Sequence, residues 1–164
     1  MLIHLKNRAL LKLSGSENEA FLQAQLSNDI SKIDYSHVQL NAYCQHQGKI
    51  LALFWVIRTG DDFLLSFPLD LLDSINARLQ MFVLMSDVKI TNVTKQYLQI
   101  GLIGKSQKDS LTINGQLSLI LTNPKNLSKF DLTSQDHWDK ACIDSFLPEV
   151  SIASTETYIP QMLN

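Results

Sequence analysis

Basic residues are neither numerous nor clustered. Over 164 residues, 14 lysines and arginines stand against 16 aspartates and glutamates, a net charge of −2. Neutralising a phosphate backbone takes grouped Lys and Arg. Direct nucleic-acid binding is therefore not expected, although a small basic pocket for an anionic ligand stays open. Cysteine is also scarce. Cys44 and Cys142 are too far apart for a zinc pair and too few for a disulfide framework, so a reduced compartment fits best. No apolar run approaches the ~20 residues a membrane span needs. The start, Met-Leu-Ile-His-Leu-Lys, lacks the basic segment and long apolar stretch of a signal peptide. A cytoplasmic protein without a membrane partner is expected. His4, His37, His46 and His137 share no ligand spacing, so no metal is expected. Neither Gly-x-Ser-x-Gly nor His-Glu-x-x-His occurs. Gly104-Lys105-Ser106 looks like the end of a phosphate loop, but Gln99 stands where its first glycine belongs.

What is present is apolar patterning. Residues 50–57, Ile-Leu-Ala-Leu-Phe-Trp-Val-Ile, are unbroken apolar, between Gly48 and Thr59-Gly60-Asp61. The run is short for a helix and bounded by turn residues, so it reads as an interior strand covered on both sides. Alternation puts Ile50, Ala52, Phe54 and Val56 on one face and Leu51, Leu53, Trp55 and Ile57 on the other. The arm before it, Val38 to Cys44, reads as the partner strand of a hairpin. Its polar turn, Gln45 to Lys49, is a place for a ligand.

Elsewhere, Ile3–Leu5, Ala9–Leu13, Phe63–Phe67, Val88–Val93, Tyr97–Ile103 and Leu117–Leu121 read as strands. Ser16 with Glu19 fits a capping box opening a helix, with Leu22, Leu26, Ile30 and Ile33 as its stripe and Ser27-Asn28-Asp29 as a break. Pro68 and Asp70 open a second helix, with Leu72, Ile75, Leu79, Phe82 and Val83 inward. Ser134 caps a third, through Trp138 to Ile143. Hairpin strands carrying a few helices define an α+β fold with mixed or antiparallel sheets.

Several segments resemble the folate-binding YgfZ family, which is similar to the glycine-cleavage T-protein. Phe21-Leu22-Gln23-Ala24-Gln25-Leu26-Ser27-Asn28-Asp29-Ile30 resembles its Phe-Leu-Gln-Gly-Gln-x-Thr-x-Asp-Val segment. Tyr43-Cys44-Gln45-His46-Gln47-Gly48-Lys49-Ile50 resembles its strand and Asp-x-x-Gly-Arg loop, with Gln45 in place of the acid. Arg78-Leu79 to Ser86-Asp87-Val88-Lys89-Ile90 is similar to a third block. Trp138 through Pro148 to Ile159-Pro160-Gln161 and Asn164 is similar to a fourth, with Phe146 where the family usually has Gly. The family's Lys-Gly-Cys-Tyr-x-Gly-Gln-Glu signature would follow Asn164. Residues 1–164 therefore look like the N-terminal part of a T-protein-like folate-binding domain, possibly two interlocked subdomains, without the family's C-terminal β-barrel.

The resemblance implies ferredoxin-like halves around a folate-sized opening. It also implies tetrahydrofolate as cofactor, and a role in assembling or maintaining iron–sulfur proteins, its clients, among them one that modifies tRNA. Tyr43 is the implied ring contact and Lys49 the partner of the glutamate tail. Gln45 sits at the acid's place, Asp29 joins only if the chain returns it to the cleft, and Asn164 closes the last motif. Against the T-protein's Gly-Gly-x-x-Asp-Asp, Gly48 and Lys49 meet the glycines while Ala52 and Leu53 replace both acids. Two other readings stand beside this one: an aminomethyltransferase of the T-protein type, which Ala52 and Leu53 oppose, and a non-enzymatic interaction domain with a vestigial folate cleft.

Overall fold

The structure is a computed structural model that describes residues 1–163. Asn164, the last of the expected site residues, lies outside the described residues. Among the described residues, ten strands form two five-stranded sheets, and three helices pack on them. The architecture is α+β, as the patterning implies.

The chain opens in one sheet and crosses at once to the other. β1 (Leu2–His4) pairs antiparallel with β7 (Leu98–Ile103) and parallel with β10 (Leu132–Thr133). β9 (Leu117–Thr122) and the short β8 (Leu111–Thr112) complete this first sheet, in the order β10-β1-β7-β9-β8. The second sheet is antiparallel, in the order β3-β4-β5-β2-β6. It comprises β2 (Arg8–Ser14), β3 (Gln39–Cys44), β4 (Ile50–Thr59), β5 (Asp62–Pro68) and β6 (Lys89–Asn92).

β4 is buried from Ile50 to Ile57 and lies between β3 and β5, the two-sided interior position its apolar run calls for. Ala52, Phe54 and Val56 join Leu11, Leu65 and Phe67 against α1 (Asn18–Gln25) and α2 (Leu72–Phe82). Trp55 and Ile57 join Ile3, Leu119 and Trp138 between the two sheets. Phe54 and Trp55 thus sit on opposite faces. The start of the strand departs from simple alternation. A β-bulge between Tyr43 and Cys44 leaves Tyr43 opposite Ala52 and Cys44 opposite Ile50, with Leu51 as the extra residue. Leu51 consequently turns to the helix side, and Ile50 packs with Ala42, Leu53 and Val150.

Two helix details also differ from expectation. Ser16 and Glu19 form no capping box. The Ser16 hydroxyl donates to Asp87, and Glu17 accepts from the Asp87 backbone N–H, so the helix start is tied to the α2–β6 connection instead. In α2, Phe82 is exposed, and Ile75 and Leu79 are its buried residues. The third helix, α3 (Gln135–Asp144), does start at Ser134, whose side chain accepts from the Asp136 N–H. It drives Trp138 onto Gly101 of β7, where no side chain would fit beside the indole.

Candidate functional site

The hairpin β3–β4 organises the site. Its turn is closed by Gly48 N–H donating to the Gln45 carbonyl at 2.8 Å and Gln45 N–H to the Lys49 carbonyl at 2.9 Å. Gly48 has φ +84°, the left-handed region that glycine enters without steric cost. Lys49 stands exposed at the tip, and Gln45 is half-buried beside it.

Tyr43 is placed differently. It points to the helix side, is 1% exposed, and stacks on Phe54 with ring centroids 5.6 Å apart. No ring face is left open. Burial raises the pKa of its hydroxyl, and the charge of Arg78 partly offsets this. Asp29 caps the 3-10 turn Ile30–Lys32, accepting from the Ser31 N–H and hydroxyl, and it lies 3.5 Å from the Lys32 ammonium. The Ser31 hydroxyl is the main reason its pKa is lowered. Its carboxylate is thus engaged locally. Lys49 and Gln45 share the turn, whereas Tyr43 and Asp29 serve the core and a cap.

The opposite face of the hairpin carries a hollow of about 290 Å³, walled by Leu40, Ala42, Leu53, Phe146, Pro160 and Leu163. Pairing accounts for the wall: side chains alternate, so Ala42 faces it while Tyr43 cannot. The tail is held there by backbone bonds. Ile50 N–H donates to the Tyr158 carbonyl and Glu156 N–H to the Ile50 carbonyl, each at 2.8 Å. Of the two positions that replace the T-protein acids, Ala52 lies in the helix-side core and Leu53 opens onto this hollow. Among the described residues its wall holds no acid or base; its polar side chain is Ser27, whose hydroxyl oxygen accepts from the Ala42 N–H.

A second hollow, about 330 Å³, lies between β2, β4 and α3, with Pro148 in both walls. Arg8 is its chemical centre. The guanidinium is 6% exposed and lies 3.5 Å from the centroid of the Trp55 ring. Nε donates to the Ser66 hydroxyl at 2.9 Å, Nη2 to the Ser66 carbonyl at 3.0 Å, and Nη1 to Glu149. Ser66 in turn donates to Gln99, whose amide returns to the Arg8 and Ala9 carbonyls. Burial pulls Arg8 down to about 10, opposed by Glu149, so the group stays charged at neutral pH. Cys142 lines the same hollow, and burial pushes its thiol up to about 12, which leaves no thiolate for nucleophilic chemistry. Read as strands, Ile3–Leu5 and Ala9–Leu13 leave Arg8 in the gap between them, and sequence reasoning misses it. The available signal is an arginine heading the apolar run Ala9-Leu10-Leu11.

With this geometry in hand, the chain can be set beside known proteins. No protein-family model matches it. It is 27% identical to "tRNA-modifying protein YgfZ" of Colwellia psychrerythraea over 99% of this chain and 60% of that one. It is 38% identical to an "Aminomethyltransferase" of Exiguobacterium sibiricum over 57% of this chain and 26% of that one. Among solved structures, glycine cleavage system aminomethyltransferase T from Bartonella henselae superposes with a TM-score of 0.63. That match covers 88% of this chain and 45% of the other, at 13% identity. The fold is that of the T-protein. Within that class, the sequence is similar along almost its whole length to proteins named tRNA-modifying protein YgfZ. The chain spans 59–60% of the length of such relatives.

Proposed function

We propose that this chain supplies the folate-binding wall of a YgfZ-like protein that holds tetrahydrofolate without transferring an aminomethyl group to it. The observation that carries the reading is Leu53. It replaces an acid of the T-protein pattern and lines the apolar hollow beside the 45–49 turn. A flat pterin ring suits an apolar slot between Leu40, Ala42 and Leu53, in the lower size range of ligand pockets. Exposed Lys49 offers a cation to the glutamate tail, and half-buried Gln45 offers an amide to the ring edge. Tyr43 contributes from behind by fixing the strand that presents Ala42.

Aminomethyl transfer needs a group that manages the proton on the reacting nitrogen, and loss of such a group typically costs 10²–10⁴-fold in rate. Leu53 cannot serve. The cellular role we assign is the upkeep of iron–sulfur proteins in the cytoplasm, and through one of them tRNA modification. The likeness to proteins named for tRNA modification supports this.

Calorimetric titration with tetrahydrofolate tests the reading. A saturable heat that Ala42→Trp abolishes without lowering the melting temperature is expected. Absence of any heat at millimolar folate, or binding indifferent to Ala42→Trp, overturns the site. Separately, turnover of an aminomethylated lipoyl carrier at the rate of a T-protein would overturn the non-transferring role.

A further inference from the structure

We infer that the hollow around Arg8 is a binding site for a small monocarboxylate borne on a flat apolar body, with Glu149 standing in for that carboxylate when no such acid is bound. Three observations carry this. First, the fork is pre-organised. Ser66 engages Nε and Nη2, Gln99 fixes Ser66, and the guanidinium lies over Trp55. An arginine held this way offers its remaining donors without further loss of rotamer freedom, and it matches a carboxylate in shape and charge. Second, among the described residues the side chain that meets Nη1 is Glu149, from the connection after α3, and it is 58% exposed. Glu149 needs only to rotate into water to free the donor, whereas Arg8 cannot leave. Third, the hollow beside the fork has an apolar side, made by the indoles of Trp55 and Trp138 with Ile143 and Leu147, while Asn7, Gln135 and Asp139 supply its polar lining.

The charges around the hollow set the ligand's valence. Arg8 is the cation of the lining, and Asp139 on α3 is the second acid beside Glu149. An incoming acid that replaces Glu149 leaves the balance as it was. A second carboxylate on the ligand would meet no further cation in the lining, and the exposed Asp139 at its edge would repel it. A buried guanidinium left with no anion is costly, so exchange of one carboxylate for another is the accessible step. The internal acid lowers the apparent affinity by the fraction of time it occupies the fork. Removing it must therefore tighten binding.

Tryptophan fluorescence reads the site directly, because Trp55 and Trp138 are the chain's two tryptophans and both line it. The probes are benzoate, its neutral isostere benzamide, and p-aminobenzoylglutamate. The last presents the same chemistry as the tail of a folate. Benzoate is expected to give a saturable change and benzamide none. Glu149→Ala should tighten benzoate by about tenfold or more, with Glu149→Gln as the size-preserving variant should the truncation fail to fold. Benzoate should also raise the melting temperature of either variant more than that of the unsubstituted protein. A response to p-aminobenzoylglutamate but not to benzoate would assign the site to a folate tail. Equal responses to benzoate and benzamide, no response to either acid, or an affinity unmoved by both Glu149 variants would overturn the inference. Failure of the tetrahydrofolate titration at the Leu53 hollow leaves this result standing, since the two hollows share only Pro148 among their lining residues.

Discussion

Phe146 ends α3 in an unusual way. Its N–H donates to the Ile143 carbonyl at 3.1 Å, and the next N–H, of Leu147, donates to the Cys142 carbonyl at 2.9 Å. This is the Schellman pattern, which places the intervening residue in the left-handed region. Here that residue is a phenylalanine at φ +52° that is 91% exposed. Glycine, which the resembled YgfZ pattern usually has at this place, is the residue that fits, and the phenylalanine gains little packing in return. Phe146→Gly should therefore raise the urea midpoint. The relief of roughly 1–2 kcal/mol from the left-handed conformation is reduced by roughly 0.4–1 kcal/mol of added unfolded-state entropy. A lowered midpoint would mean that the exposed ring does more than line the hollow. The reverse case is Gly101. Adding even a methyl there drives into the Trp138 ring, so Gly101→Ala should cost roughly 1–3 kcal/mol as overpacking. A melt that matches the unsubstituted protein would show that α3 shifts freely on its sheet.

Elements were largely legible in the sequence, and their deviations have local causes. The eight-residue apolar run identified β4 as interior because no amphipathic pattern competes with it. Leu51→Asp should destabilise by several kcal/mol, as an unpaired charge buried among Ala52, Phe54 and Leu65 must. An unchanged thermal melt would disprove its burial. The bulge was not legible, because one extra residue leaves no trace in composition, yet it decides that Leu51 rather than Ile50 joins the helix-side core. The capping box failed for a related reason: the Ser16 hydroxyl found Asp87, 71 positions away, and no local pattern reports that. At the site, the hairpin turn and the Ala52-Leu53 replacement were readable as motifs. The Arg8 hollow was not, since its partners Ser66, Gln99 and Glu149 meet only through the fold. Tyr43 was a reasonable ring contact until strand alternation, once the register was known, turned it inward and brought Ala42 and Leu53 outward.

Across the whole molecule, three carboxylates hold loops together and set its acid behaviour. Asp34 is held down to about 2, first by the Ser36 backbone N–H and then by His37. Asp87 is lowered chiefly by the Ser16 hydroxyl, and Asp29 by that of Ser31. Each has a folded pKa below its usual 3.8, so its contribution is complete above that value and fades as pH falls through the folded value. These three carboxylates should leave the urea midpoint unchanged down to about pH 4 and lower it below that, while His4, whose imidazole burial holds below 6.5, adds its own decline at higher pH. Asp34→Asn should lower the neutral-pH plateau and make the acid drop shallower. A parallel downward shift at every pH would show that Asp34 acts by shape alone.

The placement of β1 between β10 and β7 has a different kind of consequence, one of timing. Leu2 meets Leu132, and Arg8 meets Glu149, 141 positions later. Such distant pairings are slow to close. β1 must wait, unpaired, for β7 and then for β10. During synthesis the helix-packed sheet, whose strands are all made by residue 92, is complete while the other sheet still lacks its centre. The inter-sheet face of β4 and β5 then stays open to solvent until β9 and α3 bring Leu117, Leu119 and Trp138 to cover it.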